Sequence, residues 1–403
     1  MSSGTNTVKK ILFLGASAPQ APAIRYAKER GFYVITADYL PQNPGHKLAD
    51  ECYNVSTIDK EKIFQLARDL GIDAISAYAS DPSAPTAAFV SERMGLVGTS
   101  FKTVETLSNK GMFRHFLRNN GFNVPWYIIA SDIHQLKSKY SGGRAVLKPV
   151  DSSGSKGVFM ISNSEDIDAH FNTSLAFSKA GEVILEQCIE RKGPQIHGEG
   201  FLQNGQLIFL LLGDQIFSDV NPLVPYCTMV PSVFHKDIMD DVRKLVLAAL
   251  DKVGFTTGGI NVEVIRDQND ELYILEIGAR NGGNFMPHLM KHATGFDLVS
   301  ANVDCLLSNE ELMAYPSFDD LECHYAQIIL HSKKDGAFDG LNIPVSLQNN
   351  LLEEIVYYKK GDSVNRYRNS KDVVGVLIIR VCDELGLSQL REHLSKNEWV
   401  VAK

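Results

Sequence analysis

The sequence contains no CxxC pair; its six cysteines stand singly at 52, 188, 227, 305, 323 and 382. That spacing suggests neither a zinc site nor a disulfide framework, so six reduced thiols and a cytoplasmic setting are expected. No apolar run approaches the roughly 18 residues of a membrane-spanning helix. The short run Ile11–Leu14 behind the N-terminal MSSGTNTVKK fits a first strand better than a signal-peptide core. Acidic residues outnumber basic ones by 48 to 40, so the chain lacks the broad basic face that nucleic acid or an anionic membrane would demand. Local basic pockets for phosphates are not excluded by that balance. GxGxxG and GxxxxGK[ST] are both absent, which argues against a dinucleotide fingerprint and a Walker A loop. There is no internal repeat and no low-complexity tract.

What is present is ordinary for a folded protein, with 44% hydrophobic and 22% charged residues over 403 positions. The length predicts two or three domains. Strand and helix signals alternate over the first 100 residues: strands at 10–14, 32–37 and 73–77, helices at 19–30, 60–70 and 85–94. Repeated β-α-β units predict a parallel, doubly wound sheet. Helices follow over 100–121, with Asn109 as an N-cap. From there the pattern changes to α+β, with strands at 126–130, 145–150, 157–161, 183–188, 198–203 and 206–213 and a helix over 164–179. Residues 237–253 form an amphipathic helix, with Ile238, Val242, Leu245, Val246 and Ala249 at helical spacing. Strands at 260–265 and 272–277 precede a helix from about 295 to 307. The strand signals at 326–332, 351–359 and 373–381, with a last helix over 387–395, predict a small β-rich C-terminal module. The expected domains are 1–100, 101–312 (with a lid at about 126–190) and 313–403.

The chemistry centres on the segment from Gly258 to Arg280. A hairpin with a two-residue turn at Asn269-Asp270 places Glu263 directly opposite Glu276. Such cross-strand pairs have Cβ atoms roughly 4.5–5.5 Å apart. Like charges that close repel unless a cation lies between them, and two facing carboxylates suit a Mg²⁺-nucleotide. A slip of one residue would put them on opposite faces, leaving two solvated glutamates on an open sheet. Lys148 ends an apolar strand and is followed at once by Asp151-Ser-Ser-Gly-Ser-Lys-Gly157, a small-residue loop that can donate N–H groups to phosphates. The bland alternative is a plain strand end. The strand from Val183 ends in Glu186-Gln187, either a core strand or a connector whose backbone reads an adenine edge. His197 and Glu199 follow a Gly193-Pro194 turn. Ser17 and Gln20 form a capping box at the first turn.

Taken in order, these elements resemble the ATP-grasp superfamily over roughly residues 8–310. The likeness is to biotin carboxylase, the carbamoyl-phosphate synthase large subunit, the formate-dependent phosphoribosylglycinamide formyltransferase and the L-amino acid ligases. It implies a Rossmann-like N-terminal domain, ATP-grasp central domains and an ATP-dependent carboxylate–amine ligase working through an acyl phosphate. Alternatives are activation of bicarbonate, a phosphoribosylglycinamide-synthetase-like reaction, and a nucleotide-binding protein without turnover. It further implies that Lys110 and Lys148 contact ATP phosphates, with the loop of Ser152, Ser153, Gly154, Lys156 and Gly157 above them. Glu186, Gln187 and Ile189 match the adenine-side connector, and His197 and Glu199 a polar position near the nucleotide. Glu263 and Glu276 match ligands of Mg²⁺ or Mn²⁺. Arg280, with Lys148, would serve the transferring phosphoryl group.

Many relatives carry Asn two residues after the second glutamate, where this chain has Gly278; Asn281 or Asn284 are the nearby substitutes. The run Glu276-Ile-Gly-Ala-Arg280 leans toward the amino-acid-ligase-like branch. Acceptor specificity is expected from loops at 218–230 and 281–292, with Asp219, Tyr226, His235, Asn281, Asn284 and His288 as candidates. The partners would be a small carboxylate and an amine, not nucleic acid or membrane, and a homodimer is an arrangement the resemblance allows. No biotin-carrier signature and no glutaminase segment is recognisable.

Overall fold

Hydrophobic alternation and helical stripes resolve into four sheets in a computed structural model that describes residues 8–308, 311–315 and 321–403. Residues 1–7, inside the first expected domain, and 309–310 and 316–320, near the expected 312/313 boundary, lie outside the described residues.

The first sheet is parallel, in the order Glu51–Tyr53, Tyr33–Ala37, Lys10–Leu14, Ala74–Ser76. The expected strands and helices of this region all form. The edge strand Glu51–Tyr53 was not anticipated, because three residues are too few to show a period. Both faces of the sheet are covered, one by Ala23, Ile24 and Ala27 of the helix Ala21–Glu29, the other by Ile63 and Ala67 of the helix Lys60–Leu70. Burial on both faces explains the near-continuous apolar runs of its strands.

Tyr127–Ala130, Val183–Gln187, Ala145–Pro149 and Phe159–Ile161 form a separate antiparallel sheet, backed by the helices Ile133–Lys139 and Ser164–Leu175. It carries Lys148 and Glu186.

The largest sheet has eight antiparallel strands: Leu272–Gly278, Gly258–Arg266, Gln195–Gln203, Gln206–Phe217, Pro225–Val230, His324–His331, Val373–Val381 and Leu351–Val356. The strands of the expected C-terminal module thus extend the same hydrogen-bonded sheet that holds the two glutamates. The helix Lys236–Val253 packs Val242, Val246, Ala249 and Leu250 against the glutamate end, together with Phe113 and Leu117 of the helix Lys110–Asn119. A small sheet of Ser363–Val364, Gly336–Leu341 and Val400–Ala402 lies beyond the far end.

Three expectations are corrected. The loop at 218–230 contains a strand, Pro225–Val230, and the loop at 281–292 contains most of a helix, Met286–Thr294. That helix starts without a side-chain cap, behind Phe285 at φ 60°, so the capping signal is absent and Pro287 in the first turn is the start signal present. Cys323 and Cys382 are joined in a disulfide, with Cα atoms 4.2 Å apart. They flank the cross-strand pair His324–Val381, so sheet register, not sequence spacing, brings them together. The other four cysteines are free thiols. Among the described residues no helix is long and apolar enough to cross a membrane.

Candidate functional site

The Glu263–Glu276 pair forms as expected, but by a different route. The strands turn through residues 267–271, not through a two-residue loop. From that turn Arg266 pairs with Leu272 and Val264 with Ile274, a register that would miss the glutamate pairing. Leu275 is an extra residue, a bulge, and beyond it Glu263 faces Glu276. The bulge has a second use, because Arg114 donates from Nη1 to the Leu275 carbonyl at 3.0 Å.

Around the pair the cations are unevenly placed. Lys110 lies 3.6 Å from Glu276 and donates to the Ser152 carbonyl at 2.8 Å. Among the described residues Glu263 receives only the Gln195 amide, at 3.1 Å. Burial, then repulsion from Glu276, pushes the Glu263 carboxyl up to about 7. Burial would raise Glu276 as well, but Lys110, Arg280 and Lys148 together hold it below the usual carboxylate range. The pair is therefore short of positive charge on the Glu263 side.

Beside it sits a second charge cluster. Arg114, fully buried, donates from Nε to Glu186 at 3.0 Å, and Lys148 pairs with the same carboxylate. Burial alone would raise Glu186, yet the two cations hold it at about 2. Burial pulls Lys148 below its ordinary value, against the pull of Glu186. Arg114 escaped the sequence reading. The readable signal was its position four residues after Lys110, which puts both cations on one face of a helix.

Arg280 donates from Nη2 to Asp81 at 2.5 Å and from Nη1 to the Asn281 carbonyl at 3.2 Å. Asp81, in the segment that follows the strand Ala74–Ser76, was also missed. Gly278 becomes intelligible here: a Cβ at that position would stand 3.3 Å from both the Arg280 guanidinium carbon and Asp81 Oδ1. The ion pair fills the space that a side chain would need.

A cavity of about 1300 Å³ joins these groups. Its walls include Lys110, Lys148, the loop residues Ser152 to Lys156, Glu186, Gln187, Ile189, His197, Glu263, Glu276, Arg280 and Asn284. The size exceeds that of a typical drug-sized site and leaves room for a nucleotide and a second molecule.

Other candidates stand away from the cavity wall. Gly157 is buried behind the loop at φ 74°, where a Cβ would meet Phe177 and Pro149. Asp219 is held by Lys333 and Asn397, away from the cavity wall. Glu199, at 0% exposure, forms a closed knot with Asn281. It accepts from Asn281 Nδ2 at 2.6 Å, Asn261 Nδ2 at 2.6 Å and the Gly282 N–H at 2.8 Å. Burial raises this carboxyl to about 7, while the hydrogen bonds pull it back. Tyr226 is buried and accepts from Trp399 Nε1. His288 lies against Glu353 at 2.9 Å.

His197 lies on the cavity wall, but its ring is fully engaged. Asn261 Nδ2 donates to Nε2 at 2.9 Å, so Nδ1 carries the hydrogen and donates to Thr228 Oγ1 at 2.9 Å. Burial lowers its pKa to about 4, which keeps the ring neutral. His235 is an exposed helix cap. At the first turn Gln20, not a ligand, fills the space: its Oε1 accepts from the Ser17 N–H, and its Nε2 donates to the Leu14 and Tyr78 carbonyls.

Among the described residues no group of three or more His, Cys, Asp or Glu side chains is arranged to hold a metal ion by itself. The donor set facing the cavity is two carboxylates. Hard oxygen donors of that kind fit Mg²⁺ when the remaining ligands are phosphate oxygens and water. The charge deficit at Glu263 fits the same ion.

Residues 143–288 match the family model of the ATP-grasp domain. A formate-dependent phosphoribosylglycinamide formyltransferase of Prochlorococcus marinus subsp. pastoris is 25% identical over 376 residues, covering 87% of this chain and 88% of its own. An L-amino acid ligase structure from Bacillus licheniformis superposes with a TM-score of 0.80 at 19% identity, covering 98% of this chain and 99% of that one. The biotin carboxylase domain dimer of the Hydrogenobacter thermophilus 2-oxoglutarate carboxylase, solved with MgADP, ADP and bicarbonate, superposes with a TM-score of 0.74 at 19% identity. That match covers 98% of this chain and 91% of that one. The two structural likenesses extend the shared fold over nearly the whole chain.

Proposed function

We propose that this chain, whose residues 143–288 match the ATP-grasp domain, works as an ATP-grasp enzyme and joins a carboxylate to an amine at the expense of ATP, through an acyl phosphate. One carboxylate oxygen of the acid attacks the γ-phosphorus, and ADP leaves. The amine nitrogen then attacks the acyl carbon, phosphate leaves, and a proton is released.

The observation that carries this reading is the facing of Glu263 and Glu276 inside the cavity, with Lys110 against only one of them. In this reading Glu263 and Glu276 would hold Mg²⁺, or Mn²⁺. When bound, the ion supplies charge neutralisation to the phosphates. Lys110 and Lys148 would contact the phosphates, together with Ser152, Ser153, Gly154 and Lys156 of the loop on the same cavity wall. The connector Glu186, Gln187 and Ile189 takes the adenine with its backbone, while the Glu186 side chain fixes Lys148. Arg280 serves the phosphoryl and acyl end and is itself oriented by Asp81. His197, Glu199 and Asn281 belong to the supporting frame; Asn284, on the wall, is left as the substrate candidate.

The domains 1–100, 101–312 and 313–403 are part of the same proposal, as is a cytoplasmic setting. The four free cysteines support that setting and the Cys323–Cys382 bond opposes it. Gel filtration tests whether the chain pairs, as the biotin carboxylase neighbour does.

The test is a screen of carboxylate–amine pairs with Mg²⁺-ATP. Release of ADP and phosphate that depends on both partners is expected. Release of AMP and pyrophosphate would overturn the acyl-phosphate route. ADP release with bicarbonate and no organic acid would transfer the reading to bicarbonate activation.

A further inference from the structure

The turn Ser370–Asp372 reaches back from the far half of the large sheet to the phosphate loop. The Ser370 N–H donates to the Gly154 carbonyl at 3.2 Å. The approach is so close that a Cβ on Gly154 would stand 2.1 Å from Ser370 Oγ. Ser155 Oγ donates to the Leu223 carbonyl at 2.8 Å, and Asn221 Nδ2 donates to the Arg368 carbonyl at 3.0 Å. The loop, the 221–223 segment and the C-terminal turn are thus tied into one unit. The turn is fixed in its own right, since Asn369 Oδ1 accepts from the Lys371 N–H and Asp372 accepts from the Arg368 N–H, both at 3.0 Å.

This contact delivers Lys371 to the cavity wall, near Lys156. The charges around the two lysines are not balanced. Glu186 is matched by Arg114 and Lys148, Glu276 by Lys110, and Arg280 by Asp81. Neither Lys156 nor Lys371 has a carboxylate or hydrogen-bond partner for its ammonium among the described residues. Burial, and then the charge of Lys371, loosens the hold of Lys156 on its proton, while Asp81 acts the other way. The lysines therefore gather at the Arg280–Asp81 end of the cavity. Arg280 Nε, buried there, is also without a partner among the described residues. Facing cations with unused donors suit a multiply charged anion.

We infer that Lys371 and Lys156, with Arg280, form a seat for the phosphoryl group as it leaves the nucleotide, one wall of which comes from the C-terminal turn. The inference rests on the nucleotide reading given above, and it adds a residue to the site from a part of the chain that the matched domain at 143–288 does not contain.

The test is calorimetric titration of inorganic phosphate into the MgADP-saturated protein, for the unaltered chain, Lys371→Gln and Lys371→Arg. Lys371 is exposed, so neither change threatens the fold. The unaltered chain should bind phosphate. Lys371→Gln should weaken phosphate about tenfold and leave MgADP affinity within about twofold, and Lys371→Arg should restore most of the loss. Unchanged phosphate affinity, an equal fall in both affinities, or no phosphate uptake by an unaltered chain that takes up MgADP would overturn the seat. Failure of the unaltered chain to bind MgADP would instead overturn the nucleotide reading itself.

Discussion

Two regions of this molecule hold a glutamate whose carboxyl is pushed up to about 7, and they are built in opposite ways. Glu199 is sealed off and surrounded by donors: two Asn amides and a backbone N–H take its oxygens. Glu263 opens on the cavity with one amide donor and another carboxylate across from it. A raised pKa therefore does not by itself mark a working site. The first group is satisfied by the protein, and the second needs something from outside.

The largest effect expected is on turnover. Glu276→Gln should lower kcat on the order of 10³-fold or more, because it removes a carboxylate from the set facing the phosphates. Its melting temperature should stay close to that of the unaltered chain, and ADP release with a melting curve checks both. Equal activity would reduce the pair to two solvated glutamates.

Glu199→Leu should do the reverse. Stranding the Gly282 N–H and the Asn281 and Asn261 amides costs about 1–3 kcal/mol for each buried group left unpaired. The melting temperature should fall by several degrees, while kcat per folded molecule changes little. A catalytic defect without destabilisation would move Glu199 into the active site.

The two groups also separate by pH. Each has a folded pKa near 7, above the ordinary glutamate value of 4.5. Between those values the folded protein keeps a proton that the unfolded chain has lost. Their contribution to stability is therefore greatest below about pH 4.5, falls as pH rises through about 7, and is level above it. Glu199→Gln should flatten the fall in melting temperature between pH 5 and 8. Saturating MgADP should flatten the remaining part and leave the Glu199 part in place.

The smallest effect is at Gln195, which touches Glu263 at 3.1 Å and Gln215 at 2.7 Å. Gln195→Ala should raise the Mg²⁺ concentration needed for half-maximal ADP release by about tenfold.

The sequence made the first region harder to see than the second. Glu263 and Glu276 were legible because period-two alternation fixed their faces, although the bulge at Leu275 that aligns them was not. Lys148 and the small-residue loop were legible as strand-end and turn chemistry, and Lys110 through the family resemblance. Glu199 showed as polar in an apolar strand, but its Asn partners come from Asn261 on a strand paired with its own and from Asn281 beyond the last strand of the hairpin, far away in the sequence. The same holds for Asp81, which lies 199 residues from Arg280, and for the Cys323–Cys382 bond. Interactions within one element or one hairpin could be read. Those that join elements far apart in the sequence, within one sheet or between two, could not.

The continuity of the eight-stranded sheet has a practical consequence for anyone cutting the chain. Pro225–Val230 is hydrogen-bonded on its far side to His324–His331, so expression of residues 1–312 alone would bare its backbone edge and the apolar side chains Tyr226, Cys227 and Met229. An unpaired interior strand of that kind is a template for self-association. Such a fragment should therefore aggregate instead of yielding a small autonomous nucleotide binder.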